Sequence, residues 1–124
     1  MDLKTYAEQA SRTMPILGSM QDDNMHMVLG MVTEVGELAD VFKKNMAYGK
    51  EIDWTNVYEE LGDLMWYVIN FCTANAIDLE TVLHTNIRKL ETRYPEKFSG
   101  EAAINRDVKK ERATLEGSIE EWKQ

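Results

Sequence analysis

The chain has a single cysteine and only two prolines among 124 residues, and each scarcity excludes a class of protein. One cysteine cannot form a disulfide within the chain, and the apolar run around Cys72 favours a small buried side chain over a nucleophile. Few prolines allow long helices, and alternating Val, Ile and Thr runs typical of strands are absent. The sequence therefore predicts an all-α protein in a reducing, cytoplasmic setting.

Positive charge is also scarce, since 14 Lys and Arg against 22 Asp and Glu give a net charge of −8. Polymeric nucleic acids and anionic membrane surfaces attract basic patches, so neither is an expected partner. No apolar run approaches the ~20 residues that span a bilayer, and no signal-peptide pattern opens the sequence. We expect a soluble, unprocessed protein in which an anionic ligand needs a metal or a locally basic site.

Two acidic motifs, residues 34–37 (EVGE) and 60–63 (ELGD), stand inside apolar helical patterns. At 3.6 residues per turn, Glu34 and Glu60 point in the direction of the apolar residues around them. Glu37 and Asp63 follow three residues later and lie on the same side of each helix. Burying like charges costs free energy unless a cation compensates. Carboxylates without His or Cys suit Mg²⁺ or Mn²⁺ better than Zn²⁺, so the four acids are candidate metal ligands.

Other interpretations of the acids remain open. A single acidic pair on a helix is ordinarily a solvated surface feature, although two pairs on apolar arcs favour a metal site. A di-iron site would use Glu-x-x-His, and neither His26 nor His84 follows a candidate Glu by three residues.

Apolar spacing, cap residues and breakers predict the helices. The expected ranges are about 3–14, 23–46, 54–75 and 79–93, with Asp53 and Asp78 as N-caps and Gly49 as a C-terminal cap. A thinner apolar seam predicts a further helix over 106–122 that packs on the body or a neighbour, or frays. We assign 1–98 to one domain and 99–124 to a charged helical extension without identifiable chemistry.

Basic and polar residues recur on the sides of the helices that carry the acids. Lys44 returns to the Glu37 side and is a candidate partner for phosphate, or it complements the negative end of its helix. His26 either borders a substrate pocket or faces solvent. A row further along the chain is suited to hold phosphate oxygens, or to form salt bridges with acids. The row consists of Asn86, Lys89 and Arg93.

The helix predicted over 54–75 is apolar on all sides in its second half, so it must be covered all round. We infer a homo-oligomer in which Trp66, Ile69 and Met65 face a second subunit. The alternative is a central helix within one chain.

Three segments, residues 30–40, 59–67 and 86–98, together strongly resemble the MazG-like all-α nucleoside triphosphate pyrophosphohydrolases, and the likeness covers roughly 25–98. The resemblance implies a four-helix bundle assembled as a homodimer or a dimer of dimers. It also implies Mg²⁺-dependent hydrolysis of (d)NTPs between the α and β phosphates, giving a monophosphate and pyrophosphate. The metal ligands would be Glu34, Glu37, Glu60 and Asp63; the phosphate contacts would be Lys44, Asn86, Lys89 and Arg93; and Tyr67 would line the nucleotide pocket.

The chemistry of the residues agrees with this activity. Bound Mg²⁺ polarises phosphoryl oxygens and activates water, so no nucleophilic side chain is needed, and Glu37 is the candidate general base. Two alternatives to a MazG-like pyrophosphohydrolase are a dimeric dUTPase-like enzyme and a non-catalytic helical oligomerisation module whose carboxylates are structural. The preferred base and sugar are not predicted.

Overall fold

The computed structural model describes residues 1–124 and contains six α-helices and no strand, which confirms the all-α prediction. The chain forms two compact units, Met1–Ala76 and Ile77–Gln124. The division into a 1–98 domain and a 99–124 extension stays a prediction. The helices are α1 (Leu3–Ser11), α2 (Met20–Tyr48), α3 (Trp54–Ala74), α4 (Leu79–Arg93), α5 (Gly100–Ile104) and α6 (Val108–Lys123).

Short polar side chains cap the helices and explain where they begin. Asp53 and Asp78 accept hydrogen bonds from backbone N–H groups three residues later, as their positions predict. α2 starts earlier than expected because Ser19 caps it, accepting from the N–H of Asp22 at 3.0 Å. It ends at Tyr48 and is capped by Gly49, whose φ of 64° is the left-handed conformation that glycine adopts without strain. The short α5, capped by Ser99, was not predicted.

In the first unit, α2 packs antiparallel against α3. The side chains of Asn24 and Asn75 exchange two hydrogen bonds of 3.0 and 2.7 Å at one end of the pair. The rings of Phe42 and Trp54 meet edge to face at the other end. Between these ends Met27 is completely buried. This alignment places the acidic motif of α2 opposite the acidic motif of α3.

α1 covers a further side of α3. The indole Nε1 of Trp66 donates to the Oγ1 of Thr13 at 2.8 Å, just beyond the end of α1. Ile69 is only 3% exposed within the single chain. The expectation that Ile69 faces a second subunit is therefore wrong, because the chain's own elements bury it. Trp66 is half-buried, and its facing a second subunit stays a prediction. Met65 remains exposed.

One face of α2 is apolar and exposed. Its residues repeat at intervals of three and four and therefore share one side of the helix. We call this set the outer face of α2. It comprises Met25, Val28, Leu29, Val32 and Val35.

In the second unit, α4 and α6 pack through polar groups. The hydroxyls of Thr85 and Ser118 lie 3.3 Å apart, and those of Thr92 and Thr114 lie 3.1 Å apart. α6 thus packs on α4, which is one of the outcomes expected for this helix. The packing uses polar side chains, and most of the expected apolar seam stays exposed, namely Val108, Ile119 and Trp122.

A buried carboxylate from α6 anchors this packing. Glu111 is 3% exposed and receives two hydrogen bonds of 2.8 Å from Nε and Nη2 of Arg93. Nη2 of Arg106 donates to the same carboxylate at 2.7 Å. Breaking such a pair leaves a buried charge without compensation, so we expect it to matter for the stability of this unit.

We expect the effect of Glu111→Gln on the free energy of unfolding to shrink in acid. Arg93, and then Arg106, hold the pKa of Glu111 at about 2, below its ordinary value of 4.5. A carboxyl with a lowered folded pKa stabilises fully above its unfolded pKa, and this contribution is lost as the pH falls from 4.5 towards 2. Urea unfolding of wild type and variant across this window measures the difference. Glu116→Gln, which removes an exposed partner of Arg112, is the matched control with a small effect throughout. A Glu111 effect that does not change with pH would contradict the assignment.

Candidate metal centre

Three acids from two helices converge where α2 crosses the start of α3. One carboxylate oxygen of each of Glu34, Glu37 and Glu60 lies within 4.8 Å of the others. Glu60 is only 5% exposed, so its charge is largely removed from water. Carboxylates brought this close repel one another, and oxygen-only ligands match the preferences of Mg²⁺ and Mn²⁺. The donor set therefore fits a hard divalent cation.

The electrostatics of Glu34 reflect this crowding. Burial raises the pKa of Glu34, and the negative charge of Glu37 raises it further. A hydrogen bond with Glu60 and the charge of Asp63 act in the same direction. Because metal ligands must be deprotonated, a cation bound here displaces the proton that these interactions favour.

Asp63, the fourth predicted ligand, stands at the edge of this group. Its side chain is exposed, and its oxygens are not among the three that lie within 4.8 Å. Its charge nevertheless contributes to the raised pKa of Glu34. The pKa of Tyr6 on α1 is also raised, mainly by burial and in addition by the charge of Asp63. The role of Asp63 as a ligand stays a prediction.

Asn56 orients the buried acid and was not singled out from the sequence. Its Nδ2 donates to Oε1 of Glu60 at 2.9 Å, across one helical turn. Hydrogen bonds of this kind fix the orientation of ligating carboxylates. The available signal was the spacing, because an Asn four residues before an acid shares its helix face.

A cavity of about 630 Å³ adjoins the acids and is of the size that small ligands occupy. Glu37 and Glu60 line it together with two lysines, Lys44 and Lys50. Lys44 therefore lies at the cavity, and its contact with phosphate stays a prediction. Lys50 also lines the cavity and was not singled out from the sequence. Asp40 also lines the cavity and pairs with Lys44. Hydrogen bonds from Lys43 and then Lys44 lower the pKa of Asp40 to about 2.

Tyr67 occupies a different position from these residues. Its ring lies directly on the backbone of Gly30, where a Cβ would be 2.1 Å from the nearest ring carbon. The rings of His26 and Trp66 contact it in edge-to-face geometry, with centroids 5.9 and 4.9 Å away. Tyr67 does not line the 630 Å³ cavity. His26 is half-buried in this cluster, and its Nδ1 is buried without a hydrogen-bond partner.

The polar row Asn86, Lys89 and Arg93 lies on α4, in the second unit. Arg93 is bound by Glu111, so the salt-bridge interpretation of the row applies to this residue. Lys89 is half-buried and Asn86 is exposed. Contacts of these three residues with phosphate stay a prediction.

Comparisons with known proteins identify similar sequences. The sequence model of the MazG nucleotide pyrophosphohydrolase domain matches residues 23–98, more than half of the chain, and this range contains all nine candidate site residues. The Gene 37 protein of Mycobacterium phage L5 is similar, with 30% identity over 101 residues that make up 75% of this chain and 89% of that protein. No solved structure matches. None of the helices is both long and apolar enough to cross a membrane.

Proposed function

Since the chain belongs to the MazG nucleotide pyrophosphohydrolase family, we propose that it is a Mg²⁺-dependent hydrolase of nucleoside triphosphates. Cleavage between the α and β phosphates of a (d)NTP gives the nucleoside monophosphate and pyrophosphate. The observation that carries this proposal is the convergence of Glu34, Glu37 and Glu60 within 4.8 Å, beside a cavity that also contains lysines.

In this reaction, acidic side chains bind the cation and accept the proton of the water. Four carboxylates would hold the cation, and Mn²⁺ is an expected substitute for Mg²⁺. They are Glu34, Glu37 and Glu60, with Asp63 at the edge. When bound, the ion neutralises charge on phosphate oxygens and activates water. Glu37 is exposed and faces the cavity, so it is placed to accept the proton of the attacking water. The water oxygen bonds to the α-phosphorus, and the bond from that phosphorus to the departing pyrophosphate breaks.

Basic side chains supply the remaining charge for the triphosphate. Lys44 and Lys50 line the cavity and attract phosphate oxygens, although Lys44 must exchange part of its contact with Asp40. Lys89 and Asn86 are further phosphate contacts in this proposal. Arg93 belongs to the same row. Because Arg93 and Arg106 share one carboxylate, that of Glu111, these three side chains together retain a net positive charge.

Self-association is part of the proposal, as a dimer or a tetramer. The outer face of α2 exposes five apolar side chains on one side of a single helix, and a second copy of the chain would cover them. We further propose a cytoplasmic protein that binds neither nucleic-acid polymers nor membranes.

Pyrophosphate release from a panel of standard and damaged nucleoside triphosphates tests the activity. We expect equal amounts of monophosphate and pyrophosphate, loss of activity when EDTA removes the metal, and recovery with Mg²⁺ or Mn²⁺. Release from dUTP alone would favour the dUTPase-like alternative. No release from any nucleotide at any metal concentration would favour the non-catalytic oligomerisation module.

A further inference from the structure

Asn70 is the most completely buried polar side chain of the first unit, and it has no partner. It is 0% exposed, and neither its Nδ2 nor its Oδ1 makes a hydrogen bond. Burying an amide in this way is unfavourable, and unsatisfied buried groups in native proteins are rare. The cluster of Asn24 and Asn75 near the end of α3 shows the ordinary alternative, in which both amides are hydrogen-bonded.

Asn70 lies on the same face of α3 as the acids. Glu60, Asp63, Tyr67 and Asn70 are separated by three, four and three residues, which is the spacing of one helical stripe. Because each residue rises 1.5 Å along a helix, Asn70 lies about 10 Å beyond Asp63. A distance of this order separates the α-phosphate of a nucleotide from the far edge of its base.

A second unpartnered polar atom belongs to the neighbouring helix. Nδ1 of His26 is buried without a hydrogen bond, and the ring of His26 contacts Tyr67, one turn before Asn70 on α3. Helical side chains lean towards the N-terminus, so the amide of Asn70 leans towards the turn that carries Tyr67. An aromatic ring is thus flanked by two polar groups that have unused hydrogen-bonding capacity.

We infer that Asn70 and His26 recognise the nucleobase of the substrate, with Tyr67 forming one wall of the base pocket. The inference rests on the proposed function and adds to it that the protein recognises the base of the nucleotide. A carboxamide presents a donor and an acceptor side by side, which matches adjacent donor and acceptor groups on a base edge. Tyr67 stands between Asp63 and Asn70 along the helix, so its half-buried ring moves aside to admit the base.

The pocket discriminates between bases because its polar groups are buried. A site of this kind rejects a ligand that lacks the matching group far more strongly than an apolar pocket does, since the wrong ligand leaves the site unpaired. The competing explanation is a water molecule enclosed with Asn70 and His26, which would make the amide purely structural.

Binding of non-hydrolysable α,β-methylene triphosphates of each base, measured by calorimetry with Mg²⁺, tests the inference. Inorganic tripolyphosphate serves as the probe without a base. We expect wild type to bind one base at least tenfold more tightly than the others. Asn70→Leu should lower the ratio of affinities between the preferred base and the others at least tenfold and leave the affinity for tripolyphosphate unchanged. Asn75→Leu is the matched control, because it removes a hydrogen-bonded amide at the C-cap of α3 and should lower thermal stability without changing base preference.

Two further variants keep the test decisive if Asn70→Leu does not fold. Asn70→Asp removes the donor and should change which base is preferred, and His26→Phe keeps the ring contact with Tyr67 but should weaken the same preference. Wild type that binds all bases equally, or variants with an unchanged preference, would overturn the inference. Base-selective binding without pyrophosphate release would instead overturn the proposed function alone.

Discussion

Glu60→Gln is expected to lower kcat/KM for every nucleoside triphosphate substrate by about a thousandfold, since a bound cation contributes several kcal/mol to transition-state stabilisation. Glu60 is the one α3 carboxylate among the three acids that lie within 4.8 Å of one another, so its loss leaves α3 with only Asp63, at the edge of the site, as a proposed ligand. Glutamine has nearly the same shape and its oxygen still accepts the hydrogen bond from Asn56. The fold therefore survives while the affinity for the cation falls.

Steady-state pyrophosphate release and thermal unfolding with and without Mg²⁺ measure the two halves of this prediction. Without metal, Glu60→Gln should unfold at a slightly higher temperature than wild type, because one repulsive charge is gone. Addition of Mg²⁺ should stabilise wild type and have little effect on the variant. Glu59→Gln changes the adjacent exposed acid and should keep full activity. Unimpaired turnover by Glu60→Gln would contradict the metal site.

Gly30→Ala should destabilise the chain by about 1–3 kcal/mol, the usual range for forcing an extra methyl group into a packed interior. The new Cβ would lie 2.1 Å from a carbon of the Tyr67 ring, which is far inside van der Waals contact. The rings of His26 and Trp66 contact that ring, so moving it to make room for the methyl group costs free energy. Urea unfolding followed by circular dichroism measures the loss.

Two controls separate the collision from the general effect of replacing glycine in a helix. Gly36 lies in the same helix with open space around its Cβ position, so Gly36→Ala should stabilise by about 0.5–1 kcal/mol. In a Tyr67→Ala background the cost of Gly30→Ala should vanish, which a double-mutant cycle reports as coupling between the two sites. An equal cost in both backgrounds would show that the contact is not responsible.

Features that depend on neighbouring residues along the chain could be predicted from the sequence. The helices α3 and α4 begin after Asp53 and Asp78 because these side chains accept hydrogen bonds from the first turn. The helix α2 ends before Gly49 because glycine adopts the left-handed conformation without strain. The helical period likewise directs Glu34 and Glu60 towards each other's helix. Their convergence with Glu37 follows once α2 and α3 pair antiparallel.

Features that depend on which distant residue supplies a partner could not be predicted. The apolar pattern around Trp66 requires a cover but does not reveal that α1 and the adjoining Thr13 provide part of it. The spacing of Lys89 and Arg93 indicates a basic row. The partner of Arg93 is Glu111, which lies in the C-terminal segment for which no chemistry is predicted from the sequence. Asn70 looks like one polar residue in an apolar run, and only its burial without a partner distinguishes it.

The polar contact between α4 and α6 has a consequence for how these helices align. Apolar side chains tolerate sliding past one another, whereas hydroxyl pairs and ion pairs require particular partners to be opposite. Displacing α6 by one turn would separate Thr85 from Ser118 and Arg93 from Glu111 simultaneously. The two helices therefore have one register with all of these groups satisfied, and specificity of alignment in this unit comes from its hydrogen bonds rather than from its hydrophobic content.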